Sequence, residues 1–183
     1  MSSFGDVIRS FVASATRRSA RDSHAASQPS VATETRTAAL DANEPGRHGD
    51  SATVEVEPAS VSGVRMTYVP STDGDPDPGE IVWTWVPYEE RDGRGKDRPV
   101  LVVAAETGGT YLAVQLTSKP HQNNVEFVPI GSGNWDAAGR PSWVNIDRVF
   151  RLHPGGMRRE TAGLPALSFS VVEAALRRRY GWR

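Results

Sequence analysis

The sequence predicts a small, mostly antiparallel β-barrel with one C-terminal helix, preceded by a largely disordered leader. Three observations carry this. Beyond residue 78, short apolar or alternating runs recur between polar, glycine- and proline-containing turns, which is strand patterning. One late segment, near residues 170–180, has clear helical punctuation. Nothing alternates strand with helix as a parallel sheet requires.

The leader comes first. Residues 1–21 predict a short amphipathic helix, with Phe4, Val7, Ile8, Phe11, Val12 and Ala15 on one face. Arg17, Arg18 and Arg21 sit at its C-terminal end, where the helix dipole favours cations. So short a helix is marginal alone in water and is expected to dock on its own domain, a partner groove or a membrane surface. Residues 22–78 predict a disordered acidic linker. Over 22–60, Ser, Ala, Thr, Glu and Pro dominate, with too little large apolar surface to offset the entropy of ordering. Val64, Met66 and Tyr68 alternate as one weak edge strand would. Asp73, Asp75 and Asp77 resemble a calcium loop, but Pro78 stands where that loop needs glycine and no glutamate closes it. The stretch is read as a solvated acidic loop.

Residues 79–183 are the expected domain. Ile81 to Val86 is a strand, followed by a charged loop over 87–97 with two glycines. Val100 to Val103, a continuous β-branched run, predicts a buried strand that Pro99 opens. Gly108-Gly109 turns the chain into a second strand, Tyr111 to Leu116, so an antiparallel hairpin returns Thr117 and Ser118 to the end where Arg98 enters. Further strands are expected at Val125 to Ile130 and Ser142 to Leu152. Ser170 and Glu173 have capping-box spacing, Val172 and Leu176 give the helix an apolar face, and Gly181 ends it.

Composition narrows the chemistry. There is no cysteine among the 183 residues, so disulfides, thiolate metal sites and thiol nucleophiles are excluded; this agrees with a cytoplasmic protein. No apolar run approaches membrane-spanning length. The net charge of −1 hides an asymmetry. Residues 1–78 hold 7 Lys+Arg against 11 Asp+Glu, and residues 79–183 hold 14 against 11, with all five tryptophans. The domain is mildly basic and aromatic, and the leader acidic. The four histidines lack metal-ligand spacing, and no phosphate-binding, dinucleotide or nucleophile-elbow motif occurs. An enzyme built from these residues would work without metal, cofactor or a serine triad. RNA cleavage is one such reaction, because the substrate brings its own 2′-hydroxyl and the protein supplies proton transfer and support for the phosphate. Arg98, fixed at a strand entrance beside two hydroxyls, suits that phosphate; a rim salt bridge is the ordinary alternative.

Read in order, Gly79-Glu-Ile-Val-Trp83, a charged glycine-containing loop, Arg98-Pro-Val-Leu-Val-Val103, Val114-Gln-Leu-Thr-Ser118 and Val144-Asn-Ile-Asp-Arg-Val149 resemble the MazF/PemK (Kid) family of toxin endoribonucleases. The match covers residues 79 to about 182 and not the leader. The resemblance implies an SH3-like or CcdB-like barrel and a homodimer. It implies metal-independent, sequence-specific cleavage of single-stranded RNA to a 2′,3′-cyclic phosphate and a 5′-hydroxyl, with no cofactor. It also implies neutralisation by a cognate antitoxin. Carried over by position, Arg98 would stabilise the phosphorane and Thr117 would hydrogen-bond a phosphate oxygen. Asp147 matches an aspartate that serves as base in some members, although Asn145 replaces the arginine those members carry two residues earlier. Ser118, Lys119 and His121 are the expected substrate-binding residues, with His121 also a candidate for proton transfer. The competing reading is a non-catalytic barrel: a binding module, or a CcdB-like topoisomerase poison. The acidic leader would regulate the basic domain in cis or recruit a partner.

Overall fold

The computed structural model describes residues 44–71 and 74–183. The predicted helix over 1–21 and the first part of the predicted linker lie outside the described residues. Seven strands are described: β1 (Val54–Val56), β2 (Glu80–Pro87), β3 (Gly95–Ala105), β4 (Tyr111–Thr117), β5 (Phe127–Gly131), β6 (Ser142–Leu152) and β7 (Arg158–Gly163). One helix, α1 (Ala166–Tyr180), follows. All pairings are antiparallel, in the order β1-β6-β4-β3-β2-β7, with β5 also on β6. This is the mostly antiparallel architecture with a C-terminal helix that the sequence predicts. No described helix is long and apolar enough to cross a membrane.

Side-chain alternation along β3 builds two cores. Leu101 and Val103 join a large cluster with Ile81, Val114, Val144 and the α1 residues Phe169, Val172 and Leu176. Val100 and Val102 face the other way, into a smaller cluster with Val82, Val86, Ala113, Phe150 and Leu152. A strand buried on both faces must be apolar at every position, so Val100–Val103 reads as an unbroken run.

The chain before residue 79 is more ordered than the predicted linker. β1 pairs with β6, Val54 opposite Arg151 and Val56 opposite Val149. Val64 and Met66 are buried, and they clasp the last residue: Met66 N donates to Arg183 O at 2.6 Å and Arg183 N to Val64 O at 3.1 Å. At the other end of this stretch Thr53 meets Thr84 of β2, which is fully buried and gives its proton to Gly156 O at 2.6 Å. Thr53 must therefore be the donor in the 2.6 Å Thr53–Thr84 contact. Gly46 sits against this knot at φ +83°, where a Cβ would come within 2.3 Å of Thr84 Oγ1. Average composition over 22–78 hides these few anchoring residues, and their partners lie tens of residues away.

Two boundaries also move. β3 begins at Gly95, inside the predicted loop, because residues 95–99 pair with β2. α1 begins at Ala166, four residues before the predicted cap, with Pro165 preceding its first turn. Ser170 Oγ instead donates to Leu167 O at 2.8 Å, and Glu173 accepts from Arg177 Nη2 at 2.7 Å. The C-terminal end is as predicted: Gly181 at φ +70° donates to Arg177 O at 2.8 Å.

Candidate active site

The site arises where the sheet forks. The β3–β4 ladder runs from Ala105 opposite Tyr111 to Val100 opposite Gln115. Beyond it the two strands follow different neighbours. Arg98 stays with β2, opposite Thr84, while Thr117 stays with β6, opposite Trp143. The parting strand ends leave a cleft of about 250 Å³. Arg98, Thr117, Ser118 and Lys119 line it together, so four of the six sequence-predicted site residues meet there.

Charge in this cleft is unevenly matched. Asp136 pairs with Arg140 at 2.9 Å, and that guanidinium holds its carboxyl below the usual range. Asp97 pairs with Arg158 outside the cleft lining. The side chains of Lys96, Arg98 and Lys119 have no carboxylate partner among the described residues. Arg98 is half-buried, and its guanidinium makes no hydrogen bond there either. A guanidinium withdrawn partly from water without a counter-charge is costly, so such a group is suited to an anionic ligand.

The hydroxyls complement it. The backbone N–H of Lys119 donates to Thr117 Oγ1 at 3.1 Å. That bond occupies one lone pair, orients the oxygen and leaves the hydroxyl proton free to donate. Arg98, the hydroxyls of Thr117 and Ser118 and the ammonium groups of Lys96 and Lys119 thus line one cleft, a donor set suited to a phosphodiester anion. The far wall is built by the loop between β5 and β6. Trp135 Nε1 donates to Ser142 Oγ at 3.1 Å, and Gly133 lets the indole lie so close that a Cβ would meet it at 2.1 Å.

Asp147 and His121 lie elsewhere. Asp147 lines a separate groove with Glu55, Arg91, Arg179 and Tyr180, and its carboxylate is ion-paired with Arg179. This is a rim-arginine pair of the kind that its strand position allows. His121 stacks on Phe127, ring centroids 3.5 Å apart and planes 3° from parallel, and does not line the cleft. Sequence reasoning missed Lys96, Trp135, Asp136 and Arg140 as lining residues. Lys96 had a signal, since it shares a strand face with Arg98 two residues on. The other three are delivered by β5–β6 pairing, which leaves no local trace. No three His, Asp or Glu side chains among the described residues come together as a metal-ligand set.

A family model described as PemK-like, MazF-like toxin of type II toxin-antitoxin system matches residues 77–179. No curated protein sequence matches the chain. Similar solved structures include a MazE–MazF crystal structure from Deinococcus radiodurans, 21% identical over 59% of this chain and 97% of that one, with a TM-score of 0.44. MazF from the same organism is 23% identical over 58% and 97%, TM-score 0.44. The Mycobacterium tuberculosis toxin MazF-mt6 is 17% identical over 57% and 98%, TM-score 0.41.

Proposed function

The chain belongs to the family of PemK-like, MazF-like toxins of type II toxin-antitoxin systems, and on that premise we propose that it is a metal-independent, sequence-specific endoribonuclease acting on single-stranded RNA in the cytoplasm. The observation that carries the reading is Arg98, half-buried, without a counter-charge among the described residues, and lining one cleft with Thr117.

The scissile phosphate sits on Arg98. The guanidinium donates to the non-bridging oxygens and strengthens its hold as charge grows on the phosphorane. Thr117 donates its free hydroxyl proton to one of those oxygens, and Ser118 adds a second donor. Lys119 and Lys96 attract the flanking backbone. The substrate's 2′-oxygen forms a bond to phosphorus as its proton passes to water. The bond to the 5′-oxygen breaks, and that oxygen takes a proton from water. A 2′,3′-cyclic phosphate and a 5′-hydroxyl remain. Asp147 and His121, which do not line the Arg98 cleft, are given no part in this proposal. The active species is a homodimer, and a cognate antitoxin neutralises it by covering the basic cleft.

The test is incubation of the purified protein with mixed single-stranded RNA in EDTA, followed by mapping of the ends. Cuts at a short motif with cyclic-phosphate ends support the reading. Intact RNA with a protein that still binds a topoisomerase would support the poison instead.

A further inference from the structure

Arg98 also lines a second cleft, of about 390 Å³. Tyr88, Glu89, Glu90 and Arg94 come to it from the loop after β2, Gln115 from β4 and Arg148 from β6. Gln115 Oε1 is buried and accepts no hydrogen bond, which is an expensive state for an amide oxygen. Arg148 is locked in place. Its Nε donates to Glu55 Oε1 at 3.0 Å, and its Nη2 donates to Glu55 Oε2 at 2.7 Å and to Pro87 O at 2.9 Å. Its Nη1 has no partner among the described residues. A waiting acceptor and a waiting donor, held on neighbouring strands, therefore share one cleft.

We propose that this second cleft binds the nucleobase adjoining the phosphate on Arg98, and that Gln115 reads it. The inference rests on the ribonuclease reading above. Arg98 is common to both clefts, so a phosphate held by it has a nucleotide on each side. Arg94 and Arg148 on this wall are already paired with Asp92 and Glu55, so Glu89 and Glu90 disfavour another phosphate and favour a neutral ring. The base lays its face on Tyr88. An N–H of its edge donates to Gln115 Oε1, and a neighbouring ring nitrogen or carbonyl accepts from Arg148 Nη1, as amide side chains read bases elsewhere. Gln115 stands two residues before Thr117, roughly 7 Å along the strand, which sets the spacing between base and phosphate.

The test sequences the cut ends from a randomised single-stranded RNA pool, using the full chain, Gln115→Met and Glu55→Gln in EDTA. The methionine keeps length and loses the amide; Gln115→Ala replaces it if it fails to fold. The variant is expected to keep cutting while its base preference at one position beside the cut falls from about 5- to 150-fold, the value of one good amide–base pair, to near unity. Glu55→Gln loosens Arg148 and weakens preference at that same position. A slower variant with an unchanged profile, or a profile flattened at every position, overturns the proposal. Fluorescence anisotropy with all-deoxy oligonucleotides, which cannot be cut, separates the two readings. Base-selective binding that Gln115→Met makes indifferent supports the cleft even if no RNA is cut. Equal selectivity in the variant, or no base-selective binding by the wild type, overturns it.

Discussion

Around Arg98, three cations stand without a carboxylate among the described residues, whereas the groove around Asp147 is matched charge for charge over most of its wall. Asp147 pairs with Arg179, which also lies 3.8 Å from Glu126. Glu55 holds Arg148 at 2.7 Å and Arg91 at 3.7 Å. Both regions sit on the same sheet, and both contain a residue that the family resemblance marks as catalytic. The difference lies in what is left over. An ion pair that is satisfied within the chain serves the fold, and only a donor edge it leaves over can meet a substrate. A half-buried cation left unsatisfied costs stability in the free protein and is repaid only by an anion from outside.

The largest break in this contrast is Arg98→Ala. Loss of the guanidinium is expected to cut the cleavage rate about 10²- to 10³-fold, the usual consequence of losing one charge-stabilising donor in a transition state. Because Arg98 has no partner to orphan, the thermal midpoint should not fall. Arg98→Lys should recover little, since an ammonium cannot donate along two parallel bonds. Thr117→Val comes next, with a loss of about tenfold or more in a single-turnover assay. Thr117→Ser should keep most of the activity because the hydroxyl remains.

Substitutions among the matched charges should move stability. Glu55→Gln leaves the nine-tenths buried Arg148 without its carboxylate and is expected to cost about 1–3 kcal/mol in urea titration. Acid should act through the same groups. The Arg148 guanidinium holds the Glu55 carboxyl below its ordinary 4.5, and Arg151 does the same for Glu106. A carboxyl depressed in the folded state contributes stability that is present above its unfolded pKa and lost as pH falls through its folded one. The urea midpoint should therefore hold near neutrality and decline below about pH 4.5. That decline should be shallower in Glu106→Gln.

What the sequence revealed follows from the same physics. β2, β3, β4 and β6 were legible because each carries its own apolar pattern. β7, Arg158–Gly163, has almost no apolar alternation and exists through its pairing with β2. β1 is three residues held by β6 almost a hundred residues away. Arg98, Thr117, Ser118 and Lys119 were legible as a group because one hairpin brings them together. Asp147 was assigned from its position in a motif, and the motif does not record that Arg179, at the end of a helix, reaches it. For His121 the deciding contact is the face of Phe127.

If the chemistry lies in the unmatched cleft, Arg98→Ala and Asp147→Asn should part company when cleavage of one single-stranded RNA in EDTA is timed beside the wild type. Arg98→Ala should lose at least about 100-fold. Asp147→Asn removes only an exposed ion pair and should stay within about threefold of the wild type. A collapse of activity in Asp147→Asn, with Arg98→Ala near the wild-type rate, would place the chemistry in the Asp147 groove instead.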